Sequence, residues 1–144
     1  MTGQGDITFH FHDTPFRLQQ RQHVRHWLQS LAQHHGHTVG ELNYMFCSDA
    51  HMLHMNGQHL DHHYYTDILT FGMPSGQGLS GDILISIDRV RDNANTHGTN
   101  KLDELHRVMA HGLLHLIGFD DTTPIHQKEM RAAEDEALRR RAFT

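Results

Sequence analysis

Cysteine occurs once in this chain, at Cys47, so no disulfide framework is available and the fold has to rest on an ordinary core. A single cysteine in an apparent strand is a small core residue, and without a partner it points to a reducing compartment. Long apolar runs are also missing, and the first residues, Met1-Thr2-Gly3-Gln4-Gly5-Asp6, have neither the basic start nor the apolar stretch of a signal peptide. The expectation is a cytoplasmic protein with no membrane association. Positive charge is short as well: 12 Lys and Arg against 17 Asp and Glu give a formal charge of −5. That balance runs against a nonspecific nucleic-acid binder, whose basic surface dominates, unless the charge is local. There are no internal repeats. At 144 residues and 37% hydrophobic content, residues 1–144 form one domain long enough to bury a real core.

Histidine, in contrast, is abundant: 17 in 144 residues. At that density about two pairs at spacing four arise by chance, and the sequence has two such pairs, His59/His63 and His111/His115. Spacing alone therefore decides nothing; the setting does. The run from His111 to Asp121, His-Gly-Leu-Leu-His-Leu-Ile-Gly-Phe-Asp-Asp, follows an apolar helix, contains a glycine stop at Gly118 and ends in an acidic pair. On a helix, His111 and His115 stand one turn apart on the same face, as two ligands of a tetrahedral zinc must. Gly118 lets the chain turn back through a left-handed conformation, which places Asp121 to supply a third ligand. Three ligands leave the fourth position to water, the open coordination of a catalytic site. Asp120 is either a fallback ligand or an acceptor that fixes a histidine tautomer.

The ligand helix is legible from Leu102, Leu105, Val108, Met109 and Leu116, with Glu104, His111 and His115 on the neighbouring stripe and Thr99 or Asn100 as its cap. Elsewhere Ile7, Phe9 and Phe11, then Leu42, Tyr44 and Phe46, alternate as half-buried strands do. Val24, Trp27, Leu28 and Leu31 form the stripe of a helix from about Thr14 to Gln33, with Trp27 in the core. Ser48 or Asp49 caps a short helix towards Leu60 that packs through Met52, Leu53 and Met55. Strands at Asp67 to Phe71 and Asp82 to Ser86 flank a loop rich in glycine and proline. A helix from Ile87 to about Thr96, the ligand helix and a last helix entered at Thr123-Pro124 complete the chain. Four strands and about five helices predict an α+β domain, a small mixed sheet packed with helices and zinc-hydrolase-like in its site. Asp67 and Asp82 begin their strands after small residues, and turn formation is the preferred role for both. Arg89 and Arg91 divide evenly between a phosphate contact and a solvated helix face, while for the basic end Arg139, Arg140 and Arg141 a solvated helix C-terminus is favoured over local charge for nucleic acid.

The segment from His111 to Asp120 resembles the signature of the YbeY family of bacterial metal-dependent endoribonucleases, H-G-x-L-H-L-x-G-[YF]-D-H. Asn56, Thr66 to Phe71 and Gly81 to Ser86 are similar to the family's upstream segments in the same order, and Glu129, Met130 and Glu134 stand where its final acidic helix is expected. The resemblance covers about residues 40 to 140. It implies one zinc ion held by His111, His115 and Asp121, the last in place of the family's usual histidine. A carboxylate there leaves the ion less positive and somewhat better suited to harder cations. The resemblance also implies cleavage of single-stranded RNA, maturation of the small-subunit ribosomal RNA 3′ end and ribosome quality control, with ribosomal RNA and the small ribosomal subunit as partners. A second departure bears on activity: Leu60 stands where the family usually has an arginine that contributes to RNA cleavage.

Chemistry separates the alternatives. In H-E-x-x-H proteases a glutamate after the first histidine deprotonates the metal-bound water, and here that residue is Gly112. Phosphodiester hydrolysis asks less of a protein base, since the ion activates its water and offsets phosphoryl charge. The expected activity is therefore metal-assisted RNA hydrolysis with the metal-bound water as nucleophile. The alternatives are a hydrolase of another substrate such as a peptide, and a ribosome-assembly factor whose metal is mainly structural.

Overall fold

The computed structural model describes residues 5–60, 66–74 and 78–144, with the backbone alone at 56–60. Nine elements follow in the order β1 (Asp6–His12), α1 (Arg21–His34), β2 (Val39–Cys47), α2 (Asp49–Leu60), β3 (Ile68–Gly72), β4 (Leu79–Ser86), α3 (Ile87–His97), α4 (Lys101–Ile117) and α5 (Pro124–Arg139). The strands form one mixed sheet, β1-β2-β4-β3, with β1, β2 and β4 parallel and β3 antiparallel to β4. The four strands and five helices expected from the sequence are all present among the described residues. The side chains of Asn56, His59 and Leu60, together with His62, His63 and the loop tip at 75–77, lie outside the description.

Strand alternation sorts the sheet into two unlike faces. One presents Ile7, Leu42, Tyr44, Phe46, Ile83 and Ile85 to α1, α4 and α5 and forms the main core with Trp27, Leu28, Leu31, Met109, Leu113 and Leu114. The other carries Met45, Cys47, Leu69 and Leu84 beneath Met52 and Met55 of α2. Buried polar groups join the layers: the Tyr44 hydroxyl donates to the Met109 carbonyl at 2.9 Å and Trp27 Nε1 to the Ala137 carbonyl at 2.8 Å. Each bond is worth about 1 kcal/mol net, and more is lost when one partner is stranded.

Three caps fall where the sequence places them: Asn100 accepts from the amides of Leu102 and Asp103, Ser48 from His51, and Thr123 from His126 behind Pro124. Ser86, read only as a strand end, also caps α3 by accepting from Arg89. Three expectations need correction. Helix α1 starts at Arg21, not near Thr14, because Phe16 packs on Phe11 and Phe46, Leu18 is buried, and Gln20 takes a positive φ of 55° just before the first turn. Leu102, in the first turn of α4, is 41% exposed, so the packed stripe begins at Leu105. Arg141 is not a solvated end: its guanidinium meets Asp103 at 2.9 Å and His106 Nδ1 at 2.8 Å beneath Trp27 and Phe143.

Candidate metal centre

Helix α4 lies on the main-core face with Gly112 against the sheet. A Cβ there would stand 2.9 Å from Ile83 Cγ2 and 3.0 Å from Ile68 Cδ1. That close approach turns His111 and His115 outward beside the start of β3, their rings 4.8 Å apart. Gly118 ends the helix with a φ of 126°, its amide returning to the carbonyls of Leu114 and His115. The turn brings Asp121 back, with Oδ2 3.4 Å from His111 Nε2 and Oδ1 3.5 Å from His115 Nε2.

One atom from each of His111, His115 and Asp121 lies within 4.8 Å of the others, and among the described residues no other group of three or more His, Cys, Asp or Glu does the same. Around a tetrahedral ion with bonds of about 2.0 to 2.1 Å, neighbouring ligand atoms stand about 3.3 Å apart. The two imidazole–carboxylate distances are near that figure but run to different oxygens of Asp121, so the residues present fit a tetrahedral ion once the carboxylate turns to offer it one oxygen. Partial exposure of all three side chains leaves an open side.

Glu134 of α5 completes the support. Its Oε2 stands 2.6 Å from His111 Nδ1, and its Oε1 takes a 2.9 Å bond from Arg107, which also reaches Asp135 at 2.6 Å. With Nδ1–H donating to Glu134, Nε2 of His111 is the free ligand atom, the carboxylate–imidazole arrangement that fixes tautomer and ring orientation at metal sites. Burial alone lowers the His111 pKa. The hydrogen bond and charge of Glu134, with Asp121 and Asp67, outweigh it and hold the pKa above the ordinary value. Burial alone raises Glu134, and its bonds to His111 and Arg107 hold it below the usual carboxylate range.

The ligands open into a cavity of about 480 Å³ that Thr66, Asp67, Ile68, Glu104, Arg107, Val108, Arg131 and Glu134 also line. Asp67 is thus in the metal cleft, against the turn role favoured for it; burial raises its carboxyl while His111 opposes the shift. Asp82 sits on the other face of the sheet, bound by Asn43 in a ladder with Thr8. Asp120 spends its oxygens inside the turn, accepting from the Asp121 amide and the Thr122 hydroxyl. Arg89 and Arg91 do not line the cavity: Arg89 pairs with Asp49 and Asp92, and Arg91 with Asp88. Sequence reasoning missed Glu134, Arg107 and Arg131 as parts of the site. A carboxylate on the last helix was visible as a residue, but only the packing of α5 on α4 aims it at His111.

Fold and site together define a small α+β protein with two histidines and a carboxylate set as a candidate metal-binding triad in an open cleft. A family model described as endoribonuclease YbeY matches residues 7–142. The chain is 50% identical over 138 residues to the endoribonuclease YbeY of Cytophaga hutchinsonii, covering 95% of this chain and 96% of that one. It is 44% identical over 119 residues to the protein of the same name from Bacteroides thetaiotaomicron, covering 83% and 87%. The solution structure of TM1509 from Thermotoga maritima has the same fold, with a TM-score of 0.65 over 92% of this chain and 87% of that one at 22% identity. The chain belongs to the YbeY family. No described helix is long and apolar enough to cross a membrane.

Proposed function

We propose that this protein is a zinc-dependent endoribonuclease that hydrolyses single-stranded RNA, acting on the 3′ end of small-subunit ribosomal RNA and in ribosome quality control, with the small ribosomal subunit as its partner in the cytoplasm. The endoribonuclease role is supported by family membership; the RNA and the pathway follow from the resemblance alone. The observation that carries the chemistry is the open triad of His111, His115 and Asp121 in a cleft, with Glu134 orienting His111.

When bound, zinc supplies Lewis acidity, lowering the pKa of a coordinated water towards neutrality and offsetting charge on phosphoryl oxygens. The chain's own groups do the rest. Glu134 holds the His111 tautomer, Asp121 reduces the positive charge at the centre, and Asp67 places a proton-accepting carboxylate in the same cleft. Arg131, largely exposed and only 3.9 Å from Glu134, lines the cavity as a cation available to a phosphate. Peptide hydrolysis by an H-E-x-x-H route is disfavoured, because position 112 faces Ile83 and Ile68 rather than the cleft.

Purified protein incubated with single-stranded RNA and, in parallel, with casein tests the reading. RNA cleavage that chelator or Asp121→Ala abolishes is the expected result. Bound metal without cleavage by the wild type would overturn it in favour of an assembly factor with a structural ion.

A further inference from the structure

The cavity beside β3 is small for a ribosomal substrate, and the opposite edge of the sheet carries an unusual set of cations. Arg17, Arg21 and Arg25 recur every fourth residue across the approach to α1 and its first turns. Arg17 and Arg21 lie over the Phe11 ring at 4.9 and 5.1 Å, and Arg25 over Phe9 at 5.2 Å. Neutral oxygens hold them: Arg17 donates to the carbonyls of Thr14 and Phe16, Arg21 to Leu18, and Arg25 to Ile7 and the Gln22 side chain. Among the described residues no carboxylate pairs with any of the three. Four arginines elsewhere are different, for Arg89, Arg91, Arg107 and Arg141 each meet a carboxylate within 3.1 Å. Rings and carbonyls fix the guanidinium planes without neutralising them, and N–H groups remain for a phosphate.

We propose that Arg17, Arg21 and Arg25 form a second RNA contact, a phosphate-backbone surface on the β1 edge remote from the metal cleft. The proposal rests on the RNA reading given above. Register fixes the geometry: Phe11, Phe46, Ile85 and Ile68 form one row across the sheet. Ile68 lines the metal cavity and Phe11 lies under two of the arginines. The two edges are three strand spacings apart, about 14 Å through the sheet and farther over the surface. Only an RNA of several nucleotides touches both, so the arginines favour long substrates. A polyphosphate chain matches a cluster of uncompensated cations on a protein whose net charge is otherwise negative.

The test reads binding without turnover, by fluorescence anisotropy of chelator-treated protein with a labelled oligouridylate long enough to span both edges. In R17Q/R21Q/R25Q the slope of log affinity against log salt should fall by about 2, at roughly 0.7 per phosphate on a single strand, with affinity down on the order of tenfold. R17K/R21K/R25K should keep the slope. With the metal restored, the Gln variant should raise KM for the long RNA at unchanged kcat and leave triuridylate unaffected. An unchanged slope in the Gln variant overturns the proposal. So does a Lys variant as weak as the Gln one, which would mean a structural role, or polyglutamate that competes with RNA at equal strength, which would mean an acidic protein partner. Arginine-dependent binding by a wild type that cleaves no RNA would refute the nuclease reading and leave this surface standing.

Discussion

At the β3 edge of the sheet, carboxylates surround two histidines: Asp121 faces both, Glu134 backs one, and Asp67 and Glu104 line the same cavity. At the β1 edge three guanidiniums rest on phenylalanine rings and backbone carbonyls with no described acid beside them. A net charge of −5 averages these regions and describes neither. The acidic edge suits a cation and the basic edge a polyanion, and their separation of about 14 Å or more exceeds the roughly 8 Å Debye length at physiological salt, so solvent screens one field from the other.

The comparison breaks first at the ligands. His115→Ala should abolish metal binding by elemental analysis and remove the ion's contribution to stability, about 4 kcal/mol when the ion is at a thousand times its Kd, or on the order of 10 °C in Tm. A melting curve that is the same with and without chelator contradicts this.

Gly112→Glu should cost about 3 kcal/mol in denaturant titration, because a buried side chain must displace Ile83 and Ile68 and then leaves its own carboxylate stranded. It should bring no casein hydrolysis; a stable variant with protease activity would refute the inward placement of position 112.

Two effects are smaller. His106, buried against Trp27, has its pKa pushed down to about 4 by burial and by the neighbouring Arg141. Its folded pKa lies below the unfolded value, so the unfolded chain binds the extra proton between about pH 6.5 and 4. Stability is therefore full above that window and lost as pH falls through it, by about 2 kcal/mol between pH 7 and 5. His106→Gln should flatten that dependence in denaturant titrations at the two pH values. Glu134→Gln keeps an acceptor for His111 but removes the charge, and should weaken metal affinity about tenfold in a chelator competition, with the fold intact.

At the opposite edge, Arg25→Met should cost under about 1 kcal/mol, the scale of one cation–π contact, and leave metal content untouched. A loss of metal in that variant would show that the two edges are coupled and erase the contrast.

How much of this was legible in residues alone varies with range. The caps at Asn100, Ser48 and Thr123 were readable because a cap is decided within three or four residues. The ligand triad was readable because helix pitch fixes His111 relative to His115, and the Gly118 turn sets how far Asp121 can return. The start of α1 was misplaced because Phe16 and Leu18 are drawn into the core by partners far along the chain. Asp67 and Asp82 looked alike as residues that open strands, and only the faces of the folded sheet separate them.

The sequence by itself determined the local elements, their order, the histidine pair and its acidic companion, since those depend on period, capping and glycine geometry over short stretches of chain. Tertiary structure alone decided that Glu134 steadies His111, that Arg107 and Arg141 are locked by acids while Arg17, Arg21 and Arg25 are not, and that Gly112 looks inward. The physical reason is range: hydrogen bonds act over about 3 Å and screened charges over about 10 Å, and which groups come that close is fixed by how helices and sheet pack, not by separation along the chain.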